Sequence, residues 1–313
     1  MLLGLAVGSR SIPFTTVLDA LIHPGGDGND TSVVIDQRLP RTVIGLAVGA
    51  ALGMAGALMQ GVTRNPIADP GLLGVNAGAS LAVVAAITWF GVATAAGYVW
   101  FAFGGAALAT LLVYAIGSIG RDGATPVRLA LVGAAVTAAA TSLTTILLLT
   151  DIDTLDVYRF WTVGSLVGRD LGTLLVMTPF LAVGAALALG AGRMLNAVSL
   201  GDDVAQGLGQ DLRRARAATG LAVVLLCGSA VALAGPIVFV GLVVPHLARR
   251  VTGPDHRWIL AYSVVLGPIL LILADVIGRV VARPGELEAG IVVAFLGAPV
   301  MIALVRRAKL SGL

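Results

Sequence analysis

Few side chains in this sequence are of a type and spacing that would support chemistry. The three histidines, His23, His246 and His256, lie far apart, and none has a glutamate at the spacing of a metal site. Cys227 is the sole cysteine, so neither an intrachain disulfide nor a thiolate metal cluster can form. A phosphate-binding Walker motif needs a lysine after glycine, and the sole lysine is Lys309. These residues predict no metal and no nucleotide bound by this chain.

A carboxylate inside an apolar segment would mark a proton or sodium pathway, and the sequence offers one candidate. Asp275 stands in an apolar run, four residues before Arg279. Because residues four apart share one face of a helix, we expect a local ion pair between the two side chains. This pair argues against a proton relay at Asp275.

The composition indicates the environment in which these side chains lie. Of 313 residues, 58% are apolar and 12% are charged, and the mean hydropathy is +0.97. A soluble domain carries about 25% charged residues, so a soluble enzyme or a nucleic-acid-binding protein is excluded. The net charge is only +3, and the basic residues are scattered between apolar runs. The sequence therefore predicts an all-α polytopic membrane protein.

Apolar runs mark the candidate membrane spans, since a bilayer core about 30 Å thick needs roughly 20 apolar residues per helix. Eight such runs fall at residues 40–62, 71–92, 97–118, 128–150, 172–193, 217–234, 258–277 and 287–306. A ninth, shorter run at 236–248 begins at Pro236. Because arginines flank 217–248 on both sides, we expect that stretch to cross twice. Met1 to Gly8 is too short to cross, and we interpret it as the remnant of a first span.

Charge distribution predicts the topology of these spans. The loops at 63–70, 119–128, 193–216, 249–257 and 306–313 hold 13 basic and 6 acidic residues, against 7 and 11 in the remainder. Since cytoplasmic loops are enriched in arginine and lysine, these five segments are predicted to be cytoplasmic. Gly45, Gly49 and Gly53 form a small-residue ridge on the first complete span. Such a ridge serves either general helix packing or a face that lines a pathway.

Three stretches carry more information than the composition. The first comprises RLPR at 38–41 and MQGVTRNPIADPGLLG at 59–74. The second is SLGDDVAQGLG at 199–209. The third is GPIVFVGLVVPHLAR at 235–249, followed by LAD at 273–275 and GAP at 297–299. Together, from about Arg38 to Arg307, they closely resemble the FecCD-type permeases, the membrane subunits of ATP-driven importers for iron siderophores, haem and cobalamin.

The resemblance implies a single permease domain over 1–313 with the type II ABC importer permease fold, of about ten transmembrane helices with the first truncated or missing here. It further implies a multi-pass protein of the bacterial cytoplasmic membrane, with no enzymatic activity and no bound cofactor. The expected partners are two ATP-binding cassette ATPases that bind ATP and Mg, a second permease copy or paralogue, an extracytoplasmic substrate-binding protein and membrane lipid. No nucleic acid is expected.

The resemblance also assigns roles to particular residues. The short segment 199–209 matches the coupling helices, which contact the ATPase; its candidate residues are Leu200, Gly201, Asp202, Asp203, Val204, Ala205, Leu208 and Gly209. Within it we expect Val204, Ala205 and Leu208 to form a small apolar face. The cytoplasmic gate is matched by two loops, made of Asn65, Pro66 and Ile67 and of Thr125, Pro126 and Val127.

Arg38, Arg41 and Arg279 match positions where the family places arginines that face carboxylates of the binding protein. The planar guanidinium can donate two parallel hydrogen bonds to a carboxylate. The alternative is that these side chains extend to lipid phosphates.

The function implied is import by alternating access between two permease copies, with an iron(III)-siderophore as the expected cargo. A haem or cobalamin permease of the same family is the first alternative. An ion-coupled secondary transporter would need buried carboxylates, for which Asp275 alone argues poorly. A membrane scaffold without transport would explain the packing but not the coupling segment.

Overall fold

The structure, a computed structural model, describes residues 2–8, 12–23, 28–92, 94–119 and 125–310. Throughout these residues the regular structure is helical. The α-helices are α1 (Leu2–Ala6), α2 (Phe14–Ile22), α3 (Asn29–Ser32), α4 (Leu39–Thr63), α5 (Val75–Phe90), α6 (Ala95–Gly117), α7 (Pro126–Thr150), α8 (Ile152–Thr162), α9 (Leu171–Gly190), α10 (Gly192–Ser199), α11 (Asp202–Gly207), α12 (Leu212–Ala234), α13 (Val240–Thr252), α14 (His256–Val281) and α15 (Ala289–Leu310). A π-helical stretch (Val33–Arg38) joins α3 to α4, and a 3-10 turn (Pro70–Leu73) precedes α5.

Six helices in the described residues are long and apolar enough to cross a membrane. They cover Asn29–Thr63, Ala96–Gly117, Val127–Thr150, Leu171–Gly190, Leu212–Ala234 and His256–Val281. Two shorter apolar helices lie at Val75–Phe90 and Ala289–Ala303. All eight predicted spans therefore correspond to apolar helices, and the all-α membrane architecture is confirmed.

The ninth run differs from the prediction, because its first four residues, 236–239, are not helical. Gly235 to Phe239 is not helical, and α13 begins at Val240. Pro236 lacks the backbone N–H that would continue α12, and Gly235 adopts φ 74°. With 13 residues, α13 extends about 20 Å, less than the thickness of a bilayer core. Near its end, Arg249 Nη1 lies 3.4 Å from Gln60 Oε1 of α4, so the chain does return towards the inner end of α4.

Side-chain caps begin most of the long helices. An aspartate or threonine oxygen accepts a hydrogen bond from a first-turn backbone N–H and so satisfies one of the donors that a helix start leaves free. These caps are Thr94 for α6, Thr125 for α7, Asp170 for α9, Asp211 for α12 and Asp255 for α14. The polar residues that interrupt the apolar runs therefore fix where the helices start.

Helix α4 lies at the centre of the bundle, in contact with α9, α12, α13 and α14. A Cβ atom at Gly49 would lie 2.6 Å from the backbone nitrogen of Pro268, and one at Gly53 would lie 2.8 Å from the carbonyl oxygen of Ser263. At Gly45 the nearest atom would be a methyl carbon of Leu166, at 3.1 Å. The glycine ridge thus lets α4 and α14 approach closely. This contact corresponds to the first of the two predicted roles, helix packing.

Candidate coupling, gate and docking regions

The predicted coupling segment folds as a short helix between two glycines. Gly201, which precedes α11, has φ 108°, and Gly209, which follows it, has φ 81°. Residues with a Cβ rarely adopt these angles, so glycine at both positions allows the chain to turn sharply into and out of α11. The preceding α10 and the following α12 complete a compact cytoplasmic hairpin by the predicted topology.

Three apolar side chains of this segment are exposed, but Ala205, which was predicted to lie among them, is not. Leu200 is 62% exposed, Val204 48% and Leu208 61%. Ala205, expected beside Val204 and Leu208, is instead fully buried and belongs to a small cluster with Val198 and Leu212. The helix turns Ala205 inward because this side anchors α11 to its own chain. The exposed apolar side chains of the segment are therefore Leu200, Val204 and Leu208.

Asp202, the first residue of α11, joins that helix to two others. Its Oδ2 accepts a hydrogen bond of 2.8 Å from Arg216 Nη2 in α12. Its Oδ1 forms an ion pair at 3.1 Å with Arg64 Nη2, where α4 ends. Asp203, the next residue, is exposed. Sequence reasoning placed Asp202 in the coupling segment but missed both arginines, since 138 positions separate Arg64 from Asp202.

Arg64 also begins the first predicted gate loop. It caps α4 with a left-handed backbone, φ 51°, which ends the helix directly before Asn65 and Pro66. Asn65 Oδ1 accepts a hydrogen bond of 3.1 Å from the backbone N–H of Ile67, which closes a tight turn. Ile67 is 40% exposed. The loop and the coupling helix are thus connected through one residue, Arg64.

The second predicted gate loop lies at the start of α7. Thr125 caps this helix by accepting from the backbone N–H of Arg128, and Pro126 occupies the first turn. Val127 is 70% exposed. In the described part of the chain, the structure shows no hydrogen bond or ion pair between this loop and residues 65–67. Each candidate gate loop presents an exposed apolar side chain, Ile67 in the first and Val127 in the second.

The three arginines expected at the docking surface are all buried. Arg38 is 6% exposed, Arg41 8% and Arg279 2%. Arg38 Nη1 donates hydrogen bonds of 2.7 Å and 3.0 Å to the carbonyl oxygens of Leu5 and Ala6 at the end of α1. In this structure the described contacts of the three guanidinium groups are made to elements of the same chain.

A buried ion-pair network holds two of these arginines, Arg41 and Arg279. Asp275 Oδ2 lies 2.9 Å from Arg279 Nη2, so the pair predicted from the spacing of four is confirmed. Asp275 Oδ1 accepts from Nε and Nη2 of Arg41, at 2.8 Å and 2.6 Å. Arg41 Nη1 donates to Glu286 at 2.6 Å. Each charge in this buried cluster has a partner of opposite sign, which is the condition under which charges can be desolvated.

His256, Cys227 and Asp255 take structural positions. His256 Nδ1 lies 3.0 Å from Asn196 Oδ1, and Cys227 is buried in the apolar core. At the neighbouring cap, hydrogen bonds from Arg257 and Asn196 lower the pKa of the Asp255 carboxyl well below its ordinary value. Among the described residues, no group of three or more His, Cys, Asp or Glu is close enough to hold a metal ion.

Comparison with known proteins adds independent information. The model of the FecCD transport family matches residues 1–307. The ferric enterobactin transport system permease protein FepD of Escherichia coli (strain K12) is 49% identical over 99% of this chain and 92% of its own length. The Fe(3+)-citrate import system permease protein YfmD of Bacillus subtilis (strain 168) is 42% identical, over 98% of this chain and 91% of its own.

A solved structure agrees with these relatives. A metal-chelate type ABC transporter in an inward-facing conformation superposes with a TM-score of 0.83 at 26% identity, covering 97% of this chain and 94% of that one. The match therefore covers almost the whole chain. The chain belongs to the FecCD transport family and is a multi-pass membrane permease.

Proposed function

We propose that this chain is the permease subunit of an ATP-driven, binding-protein-dependent importer of iron(III)-siderophores. The observation that carries the proposal is the segment 200–208 around α11, which exposes Leu200, Val204 and Leu208 and is tied through Asp202 to the end of α4. An apolar face on a short, anchored cytoplasmic helix is suited to a groove on a partner protein. Relatives named for ferric enterobactin and Fe(3+)-citrate support an iron chelate as the cargo.

The partner of α11 in this proposal is an ATP-binding cassette ATPase, which binds both ATP and Mg. Two such subunits bind two permeases, and their closure pushes α11. Asp202 then transmits the displacement to Arg64 and to the adjoining loop of Asn65, Pro66 and Ile67. The ion pair provides a direct contact between the moving helix and the loop that closes the inner side of the pathway.

The second permease in this proposal, a copy or a paralogue, packs against α7. Only 17% of the most apolar window of α7 is buried, compared with 78% for the helix that contains α4. The exposed face of α7 also carries hydroxyl groups, at Thr141, Ser142 and Thr145. A face that lines a wet pathway between two copies accounts for both properties. Val127, at the inner end of the same helix, then faces the gate.

The binding protein docks on the outer side, where Arg38, Arg41 and Arg279 act as positioning residues. They hold α1, α14 and the segment at Glu286 in one arrangement, and that arrangement forms the surface for docking. Loss of these arginines would then weaken docking indirectly, by releasing the N-terminal segment.

Reconstitution tests the function directly. The permease, its ATPase and its binding protein are placed in proteoliposomes, and uptake of ⁵⁵Fe-labelled enterobactin, citrate, haem and labelled cobalamin is measured. We expect vanadate-sensitive uptake of an iron chelate that requires ATP and the binding protein. Uptake of haem or cobalamin alone would overturn the cargo, and uptake driven by an ion gradient without ATP would overturn the importer class.

A further inference from the structure

An apolar pocket lies on the side of the bundle between α6 and α12. Its volume is about 410 Å³, and its lining includes Met59 near the end of α4, Leu129 at the start of α7 and Arg216 at the start of α12. These three positions adjoin or belong to segments that are predicted to be cytoplasmic by their excess of basic residues. The pocket therefore lies in the inner half of the bundle.

The pocket follows α6 over the depth of one lipid leaflet. The lining residues of α6 recur at helical spacing on one face, from Phe103 to Tyr114. Eleven residues of an α-helix extend about 16 Å, and half of a bilayer core is about 15 Å thick. At the deeper end, the ring centroids of Phe103 and Phe180 lie 4.7 Å apart. The pocket thus has the length of the hydrocarbon region of the inner leaflet.

One side of the pocket is open to the surroundings of the bundle. Leu111 of α6 is 63% exposed and Leu221 of α12 is 52% exposed, and both line the pocket. Both helices are long and apolar enough to cross a membrane, so the molecules outside this opening are lipids. The proposed contact between two permeases lies on α7 and not on this rim. An acyl chain fits such a groove, because it gives the apolar walls the dispersion contacts that they otherwise lack.

A positive charge lies at the inner end of the pocket. Arg216 lines the pocket, and its Nη2 donates to Asp202 at 2.8 Å. Arg64 pairs with the same carboxylate, so these three side chains carry a net charge of +1. The nearby Asp203 and Arg213 are both exposed and of opposite sign, so they leave this charge unchanged. A basic group where a helix leaves the membrane attracts the headgroups of anionic lipids.

We propose that this pocket binds an anionic phospholipid of the cytoplasmic leaflet. One acyl chain lies along α6 and α12, and the phosphate lies near Arg216. The inference stands apart from the proposed function, because it needs neither the ATPase nor the cargo. The site adjoins the coupling segment, since Arg216 also holds Asp202.

Titration of the full-length permease with lipid tests the site. The chain is purified in detergent, freed of lipid and titrated in native mass spectrometry with phosphatidylglycerol or phosphatidylcholine of identical acyl chains. Gly220→Phe places a ring in the pocket, because Gly220 lines it and a Cβ there would meet nothing of the surrounding structure within 4 Å. Gly104→Phe is the matched control, since Gly104 of α6 has the same open space but lies outside the pocket lining.

We expect the wild-type chain to bind phosphatidylglycerol about 5-fold more tightly than phosphatidylcholine, the ratio that one basic residue at the membrane surface contributes. Gly220→Phe should weaken the binding of both lipids by about 10-fold or more, because displacing two methylenes of the chain suffices for that loss. Gly104→Phe should bind both lipids as the wild type does. Arg216→Gln should lose the preference for phosphatidylglycerol and keep the affinity for phosphatidylcholine, whereas Arg216→Lys, which retains the charge, should keep the preference.

Wild-type affinity of Gly220→Phe for both lipids would overturn the proposal, as would an equal loss of affinity in Gly104→Phe. Equal binding of the two lipids by the wild type, or an unchanged preference in Arg216→Gln, would show that the charge near Arg216 selects no anionic headgroup. If Gly220→Phe separates a permease dimer while lipid binding persists, the pocket is a contact between copies and the proposal fails. The glycine and arginine variants act on the chain and on the headgroup separately, so misfolding of one leaves the other to decide.

Discussion

Replacement of Asp202 by asparagine tests whether α11 and the end of α4 move together. The change preserves the shape of the side chain and the exposed apolar face of Leu200, Val204 and Leu208, so binding of the ATPase should persist. It removes the charge that two arginines share. We therefore expect an importer that assembles and hydrolyses ATP but transports less cargo for each ATP consumed.

The structure gives the magnitude of the effect. Arg64 and Asp202 are 39% and 35% exposed in their side chains, so water screens this pair and it contributes about 0.2–1 kcal/mol. Arg216 is only 17% exposed and makes a hydrogen bond of 2.8 Å, near the lower end for a charged bond, about 1.5 kcal/mol. The total of about 2 kcal/mol corresponds to a shift of up to about 30-fold in the linkage between the two elements.

The assay is the ratio of ⁵⁵Fe-chelate uptake to ATP hydrolysis in proteoliposomes that contain the complete importer. Arg64→Gln and Arg216→Gln should each lower the ratio, and adding Asp202→Asn to the double arginine variant should lower it no further. Arg214→Gln is the matched control, because this arginine is 89% exposed and pairs with Asp211, three residues away. A wild-type ratio for Asp202→Asn would refute the coupling route.

Three further predictions concern stability. A Cβ at Gly56 would lie 1.8 Å from the carbonyl oxygen of Gly241, so Gly56→Ala should lower the yield of folded protein in size-exclusion chromatography, whereas Gly104→Ala, with open space around it, should not. Asp275→Asn leaves Arg41 and Arg279 buried without their shared anion and should destabilise the fold by about 3–5 kcal/mol in thermal unfolding. The lowered pKa of Asp255 stabilises the folded state above the ordinary aspartate pKa, so stability should fall as the pH drops below about 4, and less so in Asp255→Asn.

The sequence predicted the membrane architecture because a helix that crosses a bilayer must be about 20 residues long and apolar. Runs of that length and polarity can be read directly from the sequence. It also predicted the pair of Asp275 and Arg279, since residues four apart on a helix must be neighbours. Pro236 indicated a break before α13, but the sequence did not show at which residue the helix resumes. Phe239 caps that helix with a left-handed φ of 68°. Because residues with a Cβ rarely adopt a positive φ, the sequence does not predict this conformation at a phenylalanine.

The outer arginines show why the long-range ion pairs could not be predicted from the sequence. A guanidinium attracts any carboxylate, so an arginine in an outer loop predicts an acidic partner without saying whether the partner lies on another protein or on the same chain. Arg41 and Asp275 are 234 positions apart, and only the packing of α4 against α14 brings them together. Burial and pairing, rather than residue type, therefore identify the arginines that hold this permease together.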